Sequence, residues 1–341
     1  MSVCLDACAK KDLNRGQRTS VDAHLYGKAL SEVQKAVQSS CDQGSFTSTL
    51  LAVMLLQKLE TVLSTRRLAS IPCWSVHAGG ISQLLQHRCA PDPEDDILFN
   101  AVLEHIGPII SHAVFKQEDG FFTRPEWQRV FSERKVANEV ESMSHVVHSQ
   151  LACLPKLING FHALRNGKDT FSQTMDVGLE ISAKLSMIGQ TLDHCILPRT
   201  QTIGVSSDSL APIKRFFLVS DLETARLICW HADVTILANA VLSQLAEIEG
   251  NEKAAASLQR QNVLMSRRIW MMSREARRAG ILQYYFYPGA LTVTWESAES
   301  ESERGWIVEL LNEMQGCEAV SEDAWTAESV QQASDVLTGK G

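Results

Sequence analysis

Long apolar runs, paired cysteines, aromatic residues and an excess of basic charge are what this 341-residue sequence has little of. The longest unbroken apolar run, Leu50 to Leu56, is followed by Lys58 and Glu60 and falls far short of the ~20 residues that cross a bilayer, so no membrane segment is expected. Nine cysteines, an odd number without CxxC spacing, read as ordinary thiols of a reducing compartment rather than as a disulfide or zinc framework. Cys4 and Cys8, at i, i+4, make at best half a metal site. Thirty-two Lys+Arg against 40 Asp+Glu give a formal net charge of −8, so bulk charge does not hold this chain to a polyanion and any nucleic-acid contact must be local. Nine Pro, 19 Gly and 6% aromatic residues favour helix over sheet, while 45% hydrophobic residues supply a sizeable core. At the N-terminus Asp6, Lys10 and Lys11 interrupt any apolar h-region, so a secretory signal is not expected and the address reads as nucleus or cytoplasm.

What is present is helical periodicity. Tyr26, Leu30, Val33 and Val37 recur at i, i+4, i+7 and i+11 within 22–38, an amphipathic helix. A second helix runs through the all-apolar LLAVMLL, and a third, near Trp74 to His87, contains Gly79-Gly80, best explained by close approach of another helix. Four carboxylates between Pro91 and Asp96 precede ILFNAVLEHIG as a helix N-terminus does; Pro108 is expected to kink or end that helix. A short helix follows Pro125, a long one bent at Pro155 spans 136–164, and another spans 171–192. Residues 197–212, rich in Ser, Thr, Pro and Gly, read as a loop or boundary between a first helical half (21–196) and a second (213–338), with residues 1–20 as an extension. Helices are expected at 221–248, 254–279, 302–315 and 321–337, and the strand-like 283–294 reads as a turn because of Pro288-Gly289. The expected class is all-α, a multi-helix regulatory-type domain or two helical halves.

Several of these segments carry a family resemblance. Tyr26-Gly27-Lys28-Ala29-Leu30, Thr49 to Leu56, Trp74-Ser75-Val76-His77-Ala78-Gly79-Gly80-Ile81 with His87-Arg88, Pro125-Glu126-Trp127 and Arg304-Gly305-Trp306-Ile307 follow in an order that resembles the fungal-specific transcription factor domain, the helical regulatory region beside a zinc binuclear cluster. The resemblance runs over roughly 20 to 320 and rests on packing patterns. It implies an all-α regulatory scaffold that works through protein partners, a DNA-binding factor among them, or a small-molecule effector, with a homodimer compatible. The six-cysteine DNA reader of that family has no counterpart here, so direct DNA binding is not expected, nor is a cofactor or metal.

Three constellations carry candidate chemistry. Arg260, Arg267, Arg274 and Arg278 fall on one stripe of the helix expected at 254–279, a face for a polyanion or an acidic partner, or simply a solvated cationic face. Glu141, His145 and His148 share metal-site spacing on a face that lies away from the apolar stripe and is expected to meet water. His77, beside Trp74, reads as a hydrogen-bonded interior histidine. The alternative to a regulator is an enzyme of secondary metabolism. Asn239, Ser243 and Glu247, on successive helical turns, resemble the Mg²⁺-diphosphate triad of class I terpene synthases, and Asp95-Asp96 resemble that family's upstream acidic pair; only this alternative implies Mg²⁺. No Walker loop, GxGxxG, GxSxG or HExxH occurs, and the balance favours a non-enzymatic regulator.

Overall fold

Residues 23–39, 43–63, 72–87, 90–204, 212–219, 221–280, 283–315 and 324–340 are described by the computed structural model, and about 80% of them are helical, as an all-α class requires. The order begins with α1 (Ala23–Ser39), α2 (Gln43–Leu63) and α3 (Pro72–His87). Leu50, Val53, Met54 and Leu56 of α2 are buried, while Leu55 is exposed. A Cβ on Gly79 would come within 2.9 Å of the His112 ring, the expected close approach, whereas Gly80 faces open space. Cys4, Cys8 and the side chain of Trp74 lie outside the described residues.

The carboxylate-rich 92–96 does open a helix, α4 (Asp96–Lys116): Asp95 caps it by accepting the Leu98 N–H at 3.0 Å. The helix continues past Pro108 instead of ending there. Pro108 has no N–H to give the Glu104 carbonyl, and the Tyr285 hydroxyl donates to that carbonyl instead, at 2.7 Å. Next come α5 (Pro125–Glu133), α6 (Glu139–Leu151), α7 (Leu154–Arg165) and α8 (Phe171–Thr191). The single bent helix expected over 136–164 is two helices, because Pro155 occupies the first turn of α7 and α6 closes with Cys153 N–H on the Gln150 carbonyl.

The loop expected at 197–212 carries a strand. β1 (Gln201–Gly204) pairs antiparallel with β2 (Arg215–Leu218), Thr202 opposite Phe217, and Phe216 and Phe217 are buried. After the hairpin, Asp221 accepts the Thr224 N–H and starts α9 (Leu222–Ile248), which is buried on nearly every side from Thr224 to Ala246. Asn251 caps α10 (Glu252–Met271), which doubles back along α9. Then follow α11 (Ser273–Ala279), α12 (Tyr287–Val293), α13 (Glu301–Gln315) and α14 (Ala327–Leu337). Residues 283–286 form the expected turn, and Pro288 sits in the first turn of the short helix that follows it, α12. Apolar residues from both sides of 197–212 join one core. By length and composition α4 and α9 could each cross a membrane; within the fold 89% of the apolar window of α9 is buried, as in a core helix, and 50% of that of α4.

Candidate functional site

The interior of α9 is apolar apart from a few residues, and three of these, His231, Thr235 and Asn239, recur every four positions and therefore line one side of the helix. That side borders a cleft of about 140 Å³ between α8, α9 and α10, whose walls include Ser182, Ser186 and Gln190 from α8 and Gln261, Met265 and Arg268 from α10. Gly189 of α8 keeps the wall close, since a Cβ there would lie 3.2 Å from His231 Nε2.

His231 is 3% exposed. Its Nε2 donates to the Leu185 carbonyl at 2.9 Å, which makes Nδ1 the acceptor of a neutral ring, and Nδ1 has no partner among the described residues. Burial holds the imidazole below its ordinary value, reinforced by Arg268, while the bond to Leu185 and the nearby Asp193 carboxylate act the other way. Thr235 donates to the His231 carbonyl at 2.6 Å. At the end of α8 the backbone widens into a single π-helical turn, Leu192–Ile196, a geometry that recurs at functional sites. This turn carries Asp193, which pairs with Arg268.

The structure brings Asn239, Ser243 and Glu247 together, but as one side of the seam between α9 and α10. Asn239 Nδ2 donates to Gln261 Oε1 (3.1 Å) and Asn262 Oδ1 (3.0 Å), and Gln259 Nε2 donates to both Ser243 Oγ (3.3 Å) and Glu247 Oε1 (3.2 Å). Asp95 and Asp96 are elsewhere: Asp95 caps α4, and Asp96 takes Arg134 at 2.6 Å. Neither lines the cleft that Asn239 borders.

Comparison with protein-family models, curated proteins and solved structures finds no match for this chain. The site must be read from its own residues.

The face bearing Glu141, His145 and His148 was expected to meet water, and here the structure corrects the sequence. His145 and His148 are 5% and 7% exposed, because α6 is covered on both flanks: the Phe99 ring of α4 stands edge-on to His145 at 5.2 Å and Trp230 of α9 lies 6.1 Å from His148. Burial, with His145 and Arg226 nearby, pushes His148 down to about 4. Among the described residues no group of three or more His, Cys, Asp or Glu could hold a metal ion. His77 is half-buried.

The arginine stripe is also broken. The expected helix 254–279 divides at Met272, so Arg260 and Arg267 lie on α10 and Arg274 and Arg278 on α11. Arg278 gives two hydrogen bonds to the buried Glu275 carboxylate, whereas Arg260, Arg267 and Arg274 are exposed and form no ion pair among the described residues.

Composition and motif spacing miss His231, Thr235, Gln261, Arg268 and Asp193 as a group. The available signal is the four-residue recurrence of polar side chains inside an otherwise apolar helix; the contribution of α8 and α10 has no signature along the chain. A further buried group, Asp233, lies on the other side of α9, its Oδ1 without a partner among the described residues and its carboxyl pushed up to about 7 by burial.

Proposed function

We propose that this chain is a non-enzymatic regulatory protein of the kind its resemblance to fungal-specific transcription factor domains implies, taking a small polar effector into the cleft between α8, α9 and α10 and acting on a protein partner. The observation that carries the proposal is the cleft itself: polar side chains from three helices converge there, and the buried His231 at its wall is held by backbone. Asn239, Ser243 and Glu247 spend their polar groups on α10, which favours a regulator over the diphosphate enzyme. The exposed Arg260, Arg267 and Arg274 supply a cationic surface for an acidic partner, a DNA-bound factor being one such, in the nucleus or cytoplasm.

Ser186→Trp tests this, because Ser186 is exposed at the cleft wall and an indole there fills the space without disturbing the core. Wild-type protein is expected to gain thermal stability from one or more compounds in a set of small polar metabolites, by the mass-action term for a ligand that binds only the folded state. The variant should fold equally well and lose that gain. In cells it should reproduce the transcript changes of a deletion. Compounds that stabilise both proteins alike would sink the cleft as the effector site. Unchanged transcripts together with accumulation of one metabolic precursor would favour an enzyme.

A further inference from the structure

The charge inventory of the cleft is short. Among the described residues lining it, Arg268 is the one cation and Asp193 the one anion, and His231 is neutral. The two charged partners are not equally placed: the Arg268 side chain is 18% exposed, that of Asp193 46%. Arg268 is thus a nearly buried permanent charge that needs an anion, and Asp193 supplies it from the rim, through one hydrogen bond from Nη2 to one carboxylate oxygen. A guanidinium can offer two parallel N–H groups to a carboxylate, and this pair uses only one. The rest of the wall presents the Ser182 and Ser186 hydroxyls and the Gln190 and Gln261 amides, while Thr235 already donates to His231 and Asn239 to α10.

Resting on the reading of the cleft as an effector site, we propose that its ligand is a small hydroxylated monocarboxylic acid that takes Arg268 away from Asp193, so that Asp193 is a built-in competitor setting the affinity. One cation matches one carboxylate, while a phosphate dianion would be left with charge that no second basic residue of the described lining meets. Size narrows the class further. A water needs ~10–15 Å³ by this measure and an apolar cavity of ~150 Å³ holds benzene, so the cleft takes a molecule of roughly six to ten non-hydrogen atoms. The hydroxyl and amide wall requires that such a molecule carry further hydrogen-bonding groups.

The test is calorimetric titration at pH 7 of the full chain and its variants with glycerate, threonate and 3-hydroxybenzoate, each beside its neutral primary amide, and with inorganic phosphate. The acids are expected to bind at least about tenfold more tightly than their amides, and Arg268→Gln should lose that preference. Arg268→Lys, which keeps charge without the planar fork, should recover part of it. Asp193→Asn is the deciding variant: if the native pair is closed nine-tenths of the time, its removal tightens acid binding by about tenfold. A merely structural pair predicts the opposite, with Asp193→Asn weakening binding as Arg268→Gln does, and that result would overturn the proposal. Amides or phosphate binding as well as the acids would overturn the ligand class and leave the effector site standing. No binding by any probe to wild type, together with no loss of metabolite-induced stabilisation in Ser186→Trp, would overturn both.

Discussion

A buried titratable side chain ties the stability of the fold to pH, and here two kinds oppose each other. His148 is pushed down to about 4 and His105, His145 and His231 are lowered in the same direction, burial being the first cause in each. Between about 4 and the ordinary histidine value near 6.5, His148 is protonated in the unfolded chain and neutral in the folded one. The unfolded state then binds more protons, so stability rises with pH across that window and is lost as pH falls through it. Asp233 acts the other way. Its carboxyl, raised to about 7, keeps a proton in the folded chain that the unfolded chain releases near 4, so this group destabilises the fold as pH rises over much the same interval. The wild-type slope is therefore the histidine contribution less that of Asp233. Replacing Asp233 with Asn removes the opposing part, and urea unfolding between pH 6.5 and 4.5 should show a slope steeper than wild type by up to ~1.4 kcal/mol per pH unit. An unchanged or shallower slope would mean that Asp233 is ionised in the folded protein.

At the scale of elements, α4 shows how a tertiary contact keeps a helix that local sequence would break. Pro108 leaves the Glu104 carbonyl unpaired, and Tyr285, 181 residues further along, fills it with its hydroxyl. Lys58 and Arg226 flank the same ring, each pairing with the Glu104 carboxylate and resting against Tyr285. Gly107, one residue earlier, leaves the room that Trp230 of α9 occupies, since a Cβ there would lie 2.6 Å from the indole. Tyr285→Phe should therefore cost about 1–2 kcal/mol by denaturant unfolding, the penalty of a carbonyl stripped of its donor. In a Pro108→Ala background the helix supplies its own N–H and the same substitution should cost little. Equal costs in both backgrounds would refute the assignment. This contact also marks what could be read in advance. Period and flanking residues locate α5, α8, α9 and α13 to within a few residues, whereas α4 outruns Pro108 and α14 starts at Ala327 instead of 321. The hairpin was hidden because Phe216-Phe217-Leu218-Val219 is too short to show alternation, and its partner strand lies in a polar segment. The burial of His145 and His148 is not legible along the chain because it depends on Phe99 and Trp230, neighbours from α4 and α9 that cover a second side of α6. The cleft was legible only in its α9 third, since His231, Thr235 and Asn239 become a site through what α8 and α10 place opposite them.

For the whole molecule, with its net charge of −8, the arginines of α10 and α11 form a local exception to the acidic balance. Arg268, Arg277 and Arg278 pair with Asp193, Glu313 and Glu275, so each of these charges has an internal partner. Arg260, Arg267 and Arg274 are exposed and take no such partner among the described residues, and Leu264, 57% exposed, lies between the first two on α10. Two exposed arginines flanking an exposed leucine on α10, with Arg274 exposed on α11, make a local surface suited to an acidic, partly apolar partner. DNA suits it less. Three phosphate contacts give a salt slope of only about −2.7 with no base readout, against the repulsion of the remaining surface. Replacing all three arginines with Gln should change stability little, about 0.5 kcal/mol or less per site, because none of them holds the fold together. The triple variant should therefore keep the metabolite-induced thermal shift of wild type while failing to restore the transcript levels of a deletion strain. Full restoration by that variant, at equal protein abundance, would place the partner surface elsewhere on the molecule and return these arginines to an ordinary solvated role.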